Sequence, residues 1–367
     1  MCLGNGLIIS VPKDICCLQT LKHGEKSLGG GYSWTLVYDD IISVENLLEA
    51  WREFKRDKRK RADVQEFGRN LMSNVLDLHR ELATGTYQHG GYHHFKISDP
   101  KPRDIHKASA RDRLVHHSLH RKLYPFFDRI FIADSYSCRI EKGTHKAMNR
   151  FRAFAYKVSQ NNTRTCWVLK CDIRKFFASI DHEALVRILR AHISDERLML
   201  LLVNIIGSFN SDTVGRGLPL GNLTSQLLVN IYMNEFDQFV KHKIKAKYYI
   251  RYADDFVIFS HDRTHLVEIL PYMDVFLRYQ LKLKMHPNKV SIATLSSGVD
   301  FLGWVHFPDR RVLRTSTKKR MFRNIQEKQG HEATVQSYLG LLSHGNAWKL
   351  QESVKSLHEV ALAKHSV

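Results

Sequence analysis

The chain has 367 residues, with 56 Lys+Arg against 37 Asp+Glu, a formal charge of +19 and 43% hydrophobic side chains. That hydrophobic share excludes an intrinsically disordered chain, and the length permits two or three subdomains around a large shared core. The cationic excess favours a polyanionic partner, and nucleic acid over membrane: the most apolar stretch, Leu198–Ile206, is far shorter than the roughly 20 residues that span a bilayer.

The N-terminus, MCLGNGLIIS, has no Lys or Arg before its apolar run and would make a poor secretory signal. The six cysteines (Cys2, Cys16, Cys17, Cys138, Cys166, Cys171) form no C-x-x-C pair, which fits reduced, mostly buried thiols better than disulfides or zinc. Gly29–Gly31 reads as a turn, because no G-x-x-x-x-G-K-S/T phosphate loop follows it. Ser43 is placed to cap a helix over ENLLEAWREF. The basic run Lys55–Arg61 is either a solvated helix end or a phosphate contact. A second helix is expected over Val64–Leu82, ending at Thr84-Gly85. Aromatic and β-branched residues flank a Pro/Asp turn between Tyr92 and Ile105, the pattern of a basic hairpin. Helical patterns continue to Lys157, and a polar loop then leads to an apolar strand, Cys166–Cys171. Asp181 is a natural N-cap, a strand pair brackets Asp254-Asp255, FLGWVHF forms another strand, and the basic C-terminal residues are helical in pattern. This order predicts an α+β fold, a core sheet with helices on one face.

Two segments carry the chemistry. In YYIRYADDFVIFS, two β-prone runs are joined through Asp254-Asp255. Adjacent acids at a strand turn repel each other, and a cation relieves the repulsion; a solvated Asp-Asp turn is the plainer alternative. In WVLKCDIRKFFASID, Asp172 ends an apolar strand, where it is either a strand-end cap or a functional group. Together the acids suit a pair of Mg²⁺ ions, about 4 Å apart, of the kind that drives nucleotidyl transfer. Asp181 lies beyond the strand and fits a helix cap better than a metal ligand.

YADD resembles the YxDD box of reverse transcriptases, and CDIRKFFASID resembles their first catalytic-aspartate motif. GLPLGNLTSQLLVNIYMNEFDQFV, HPNKV and DFLGW resemble, in the expected order, the nucleotide-supporting helix, the basic-residue motif and the primer grip. The resemblance covers roughly Tyr92 to Phe307. It implies a right-hand polymerase fold with an N-terminal helical region at 1–84, fingers at 85–165, an antiparallel palm with helices at 166–307 and a helical thumb at 308–367. It implies an RNA-directed DNA polymerase using two Mg²⁺ ions, replaceable by Mn²⁺, held by Asp172, Asp254, Asp255 and the Ile173 carbonyl. Lys289 would protonate the leaving pyrophosphate, although an ordinary surface lysine also fits. Lys96 and Arg103, seven apart around the hairpin turn, would both aim at the incoming triphosphate, with a solvated basic turn as the alternative. Phe177 would block a ribose 2′-OH while Phe176 faces the core, or the two rings exchange these places. Leu220, Gly221 and Gln226 would line the nucleotide pocket. Leu302, Gly303 and Trp304 would grip the primer, unless they form only a core strand. Arg310, Arg311, Arg314, Lys318, Lys319, Arg320 and Arg323 would line a duplex groove.

Bacterial relatives such as group II intron and retron enzymes carry a QGxxxSP-like sequence where this chain has Leu220-Gly221-Asn222-Leu223-Thr224-Ser225-Gln226. The leucine and the final glutamine resemble the enzymes of diversity-generating retroelements. That likeness implies a template-repeat RNA copied into adenine-mutagenised cDNA, with dNTPs, a cDNA primer and a small basic accessory protein as partners. It implies a cytoplasmic enzyme, bacterial or phage-encoded, with no membrane partner. Retron-like or phage-defence reverse transcription is the alternative, and a non-catalytic RNA-binding protein is disfavoured by the three retained acids. The 21 histidines show no zinc-finger or H-E-x-x-H spacing and are expected at the surface or against duplex.

Overall fold

The computed structural model describes residues 36–98 and 102–365. The Gly29–Gly31 turn, Cys2, Cys16, Cys17 and the Asp99–Lys101 hairpin tip lie outside these described residues.

Four helices come first: α1 (Tyr38–Ile42), α2 (Val44–Phe54), α3 (Ala62–Arg69) and α4 (Leu71–Ala83). The Ser43 hydroxyl caps α2 by accepting the Asn46 N–H at 3.2 Å. Leu47, Ala50, Trp51 and Phe54 recur at helical spacing and form the buried face of α2. The expected Val64–Leu82 helix is two helices, because Asn70, at φ −114° and ψ 41°, leaves the helical region and breaks it. The basic run forms the largely exposed turn between α2 and α3.

An antiparallel hairpin, β1 (Tyr92–Ile97) and β2 (Arg103–Ala108), leads into α5 (Ala110–Asp128) and α6 (Thr144–Val158). Then come β3 (Trp167–Asp172), α7 (Phe176–Ser179), α8 (His182–Arg190), α9 (Glu196–Gly207) and α10 (Leu223–His242). The next group is β4 (Tyr249–Tyr252), β5 (Asp255–Ser260), α11 (Arg263–Gln280) and β6 (Ser291–Thr294). The chain continues through β7 (Val299–Phe301), β8 (Trp304–His306) and β9 (Arg311–Leu313) to α12 (Thr315–Glu327), α13 (Glu332–Leu342) and α14 (Trp348–His365). Asp181 caps α8, accepting the Ala184 N–H at 3.0 Å. Among the described residues no helix is long and apolar enough to cross a membrane. Cys166 and Cys171 are buried free thiols and Cys138 is an exposed one.

The central sheet is four-stranded and antiparallel, in the order β4-β5-β3-β6. Side chains alternate across it. Leu169, Cys171, Phe256 and Ile258 face the main core with Phe236 of α10 and Phe276 of α11. Val168, Val257 and Phe259 face a second cluster with Phe151 and Phe154 of α6. Helices therefore cover both faces, not one as expected, because these strands are apolar on both sides at one end. At the other end Lys170 and Asp172 keep the α6 side polar and uncovered.

The β7-β8-β9 sheet straddles the expected boundary at 307/308. Phe301 joins the α6 cluster, whereas Trp304 packs with Leu313, Met321, Ile325, Val335 and Leu342 of the C-terminal helices.

The histidines depart from expectation. α5 runs between the N-terminal helices and α10, so His116 is 1% exposed and His117 and His120 are half-buried. Burial, reinforced by His89, pushes His116 down to about 3. Burial pushes His117 down to about 4, with Lys58 adding to it, and His120 to about 4 as well. These imidazoles stay neutral in the folded chain while the unfolded chain takes up protons near 6.5. Their contribution is fully present above that value and is lost as pH falls toward 4. The thermal unfolding midpoint should fall across this window, and His116→Gln should blunt the fall; a midpoint flat between pH 7 and 4 would contradict this account.

Candidate active site

The β3–β5 register places Asp172 directly opposite Asp255. Tyr252 pairs with Asp255, so Ala253 and Asp254 form the two-residue turn between β4 and β5. Ala253 sits at φ 55°, in the left-handed region that such turns require and that glycine occupies most readily. The Ile173 N–H donates to the Asp254 carbonyl at 3.2 Å, tying the end of β3 to the turn. Asp172, Asp254 and Asp255 thus lie at one end of the two inner strands of the sheet.

The turn is held from below by Arg251, which is 0% exposed. Its Nε and Nη2 donate to the two Asp237 oxygens at 2.8 and 2.7 Å. Nη2 also donates to Ser135 Oγ at 3.1 Å, and Nη1 donates to Asn230 Oδ1 at 3.3 Å and the Ala253 carbonyl at 3.1 Å. The Tyr249 hydroxyl donates to Asp237 at 2.7 Å. All five guanidinium donors are satisfied, as a buried cation requires.

The cluster is electrostatically stressed. Burial and the neighbouring Asp172 raise Asp254 above the usual carboxylate range. Burial pushes Asp255 up to about 7, with Asp254 and Asp172 adding to the rise and Lys170 opposing it. Lys289 Nζ donates to both Asp172 oxygens, at 3.0 and 3.1 Å. Lys170 Nζ lies 3.8 Å from Asp255 Oδ2 and donates to the Asp300 carbonyl at 2.7 Å. Asp300 in turn ion-pairs with Arg314. Lys170, Asp172, Asp255, Lys289, Asp300 and Arg314 line a cavity of about 520 Å³.

Among the described residues no three acidic, histidine or cysteine side chains converge on one cation position, and Asp172 is engaged by Lys289. The donor chemistry nonetheless fits a hard divalent cation. The donors are hard carboxyl oxygens, Asp255 Oδ1 is buried with no hydrogen-bond partner, and the Asp172 charge raises the pKa of both Asp254 and Asp255.

The remaining expected site residues divide. Phe176 is buried in the core, and Phe177 is half-buried and packs against the same core. Ile173 is buried beside the acids. The Leu220 carbonyl accepts the His106 N–H at 3.1 Å and the Asn222 amide donates to the His106 carbonyl at 2.8 Å, docking this loop on β2. Gly221, at φ 100°, sits where a Cβ would lie 3.0 Å from Ile105. Gln226 is half-buried on α10.

Lys96 and Arg103 do not aim together. Lys96 pairs with Asp104 and Arg103 with Ile97, and since residues directly opposite share a face, the two cations point to opposite sides of the hairpin. Arg103 is the one whose charge reaches Asp254. Trp304 is 1% exposed and belongs to the C-terminal core, so it cannot touch a primer. Leu302 and Gly303, both at positive φ, form the tip of that hairpin. Arg311 is tied to the His344 carbonyl and Asn149, Arg310 to Asp309, and Arg314 to Asp300. Lys318, Lys319 and Arg323 are exposed on α12. Sequence reasoning missed Lys170, Arg251 and Asp300. Lys170 was discoverable, lying two residues before Asp172 and therefore on its face of the strand.

Removing one partner of a buried ion pair strands the other charge. Arg251→Met should therefore destabilise the chain by about 3–5 kcal/mol, read by chemical denaturation. A loss below about 1 kcal/mol, the range of a surface pair, would contradict the role given to this network.

Residues 98–306 match the family described as reverse transcriptase (RNA-dependent DNA polymerase). Protein YkfC of Escherichia coli K12 is 28% identical over 265 residues, covering 62% of this chain and 69% of that protein. The group II intron-encoded protein LtrA of Lactococcus lactis is 22% identical over 292 residues, covering 61% of this chain and 47% of that protein. The chain thus spans about two thirds of one relative and about half of the other. The structure of apo telomerase from Candida tropicalis, truncated from its C-terminal domain, aligns with TM-score 0.45 and 12% identity over 66% of this chain and 60% of that one. The antiparallel sheet with its helices is the palm of a right-hand polymerase fold. The family match takes in more than half of the chain and all three clustered acids, and on that ground this protein belongs to the reverse transcriptase family.

Proposed function

We propose that the chain copies RNA into DNA by two-metal nucleotidyl transfer at Asp172, Asp254 and Asp255. The observation that carries this reading is the direct cross-strand pairing of Asp172 with Asp255, beside the Asp254 turn, inside the region matched by the family. The three carboxylates and the Ile173 carbonyl would hold two Mg²⁺ or Mn²⁺ ions. When bound, these supply charge stabilisation to the attacking and leaving oxygens. Arg103 would meet the triphosphate from the hairpin, without Lys96. Lys289, now on Asp172, would exchange that carboxylate for the leaving pyrophosphate and give it a proton. Leu302 and Gly303 would support the primer end. Asp254→Asn should retain RNA binding and lose magnesium-dependent primer extension; substantial extension by the purified variant would overturn the assignment.

Sugar choice would fall to Phe177, whose side chain is half-buried five residues after Asp172. Phe177→Ala should raise ribonucleotide insertion relative to deoxyribonucleotide insertion in single-nucleotide assays. An unchanged ratio would remove this ring from the explanation.

We infer further that the enzyme serves a diversity-generating retroelement. It would copy a template-repeat RNA with errors at adenines, alongside a small basic accessory protein. Leu220 and Gln226 support this reading. The match to LtrA favours a second reading, an intron-encoded type of reverse transcriptase. Leucine supplies bulk without the directional hydrogen bond an amide could give the nucleotide, and tenfold in selectivity is only about 1.4 kcal/mol. Leu220→Gln should therefore lower misincorporation opposite template adenine, measured by sequencing cDNA from one RNA. Equal error rates with activity preserved would count against Leu220.

A further inference from the structure

Two lysines touch the acid cluster, and they are built differently. Lys289 is 44% exposed on its side chain and, among the described residues, its ammonium is bound by Asp172 alone, so it can leave. Lys170 is 17% exposed and anchored at 2.7 Å on the Asp300 carbonyl. That carbonyl is fixed in turn. Asp300 pairs with Val305 in the β7–β8 ladder, and its carboxylate is held by Arg314 at the start of α12. Lys170 pairs with Val257 across β3–β5, which sets it diagonally beside Asp255 on the face that carries Asp172. Its ammonium stands 3.8 Å from Asp255 Oδ2, while Oδ1 of the same carboxylate is buried without a partner. Ordering a long, flexible lysine in such a place costs entropy. Its cross-strand neighbours are Val257 on β5 and Ser291 on β6, so the charged groups its ammonium meets on this face are the acids at the strand ends.

We propose that Lys170 is a positioning residue. Anchored on the Asp300 carbonyl, its ammonium fixes the orientation of the Asp255 carboxylate and offsets part of its charge. Divalent cations then meet a carboxylate already oriented and partly neutralised. This inference rests on the reading of Asp172, Asp254 and Asp255 as cation ligands.

The two parts of the role have opposite signatures. Removing a positive charge beside the cluster strengthens its attraction for a cation, while freeing Asp255 slows the chemistry. Misfolding would weaken both. Mn²⁺ binding to the full chain, followed by electron paramagnetic resonance, is the readout independent of activity. Lys170→Met and Lys170→Gln should bind Mn²⁺ about threefold or more tightly than the native chain. Their kcat for single-nucleotide insertion should fall about tenfold or more with KM for dNTP little changed. Lys170→Arg, which keeps the charge, should recover most of the rate. Lys170→Gln keeps a donor for the Asp300 carbonyl and carries the test if Lys170→Met does not fold. Native Mn²⁺ affinity or native kcat in the folded variants overturns the role of Lys170. A native chain that binds no Mn²⁺ overturns the underlying ligand reading as well.

Discussion

A fully buried guanidinium lies against the hairpin turn that carries Asp254 and leads into Asp255, and the site's geometry depends on it. Arg251 joins α10 through Asp237 and Asn230, the loop before α6 through Ser135, and the turn itself through the Ala253 carbonyl. A buried ion pair contributes little net stability against well-packed apolar groups, because both charges lose water. What it contributes here is a single allowed arrangement: every donor has one acceptor, and shifting β4 relative to α10 would strand several at once. The left-handed Ala253 is sustained by this surrounding structure, since its carbonyl is claimed by a group that cannot move.

The site also shows how charge is divided between structure and function. The chain is strongly cationic, and part of that charge is spent inside the fold. Arg251, Lys170, Arg311 and Arg314 each bind a carboxylate or a carbonyl of the chain itself. Net charge therefore overstates the surface available to a polyanion, and the exposed cations of α12 and of the α2–α3 turn form the more direct candidates.

Legibility in the sequence followed the range of the interactions involved. The caps at Ser43 and Asp181 were readable because a helix cap is completed within three residues. The acids were readable because they sit at strand ends flanked by apolar runs. Interactions across distance were not readable. Asp237 gives no local sign that it will meet Arg251, and Asp300 none that its carbonyl will anchor Lys170. Seven residues between Lys96 and Arg103 suggested a shared face, but strand register, not spacing, decides that, and it pairs each with another residue. His116 looked like a surface residue until α5 was enclosed on both sides, and Trp304 like a primer contact until the C-terminal helices covered it.

The small sheet of β7, β8 and β9 bears on how this architecture can be inherited. Phe301 and Trp304 are paired across a two-residue turn, yet one is buried against α6 and the other among the C-terminal helices. A recombination junction at 307/308 would separate β8 from β9, and one before β7 would pull Phe301 out of its cluster. Neither breakpoint leaves two intact halves. The C-terminal helices thus share a core with Trp304 of β8 and Met148 of α6, and a junction near β7–β9 that ignored this packing would open it.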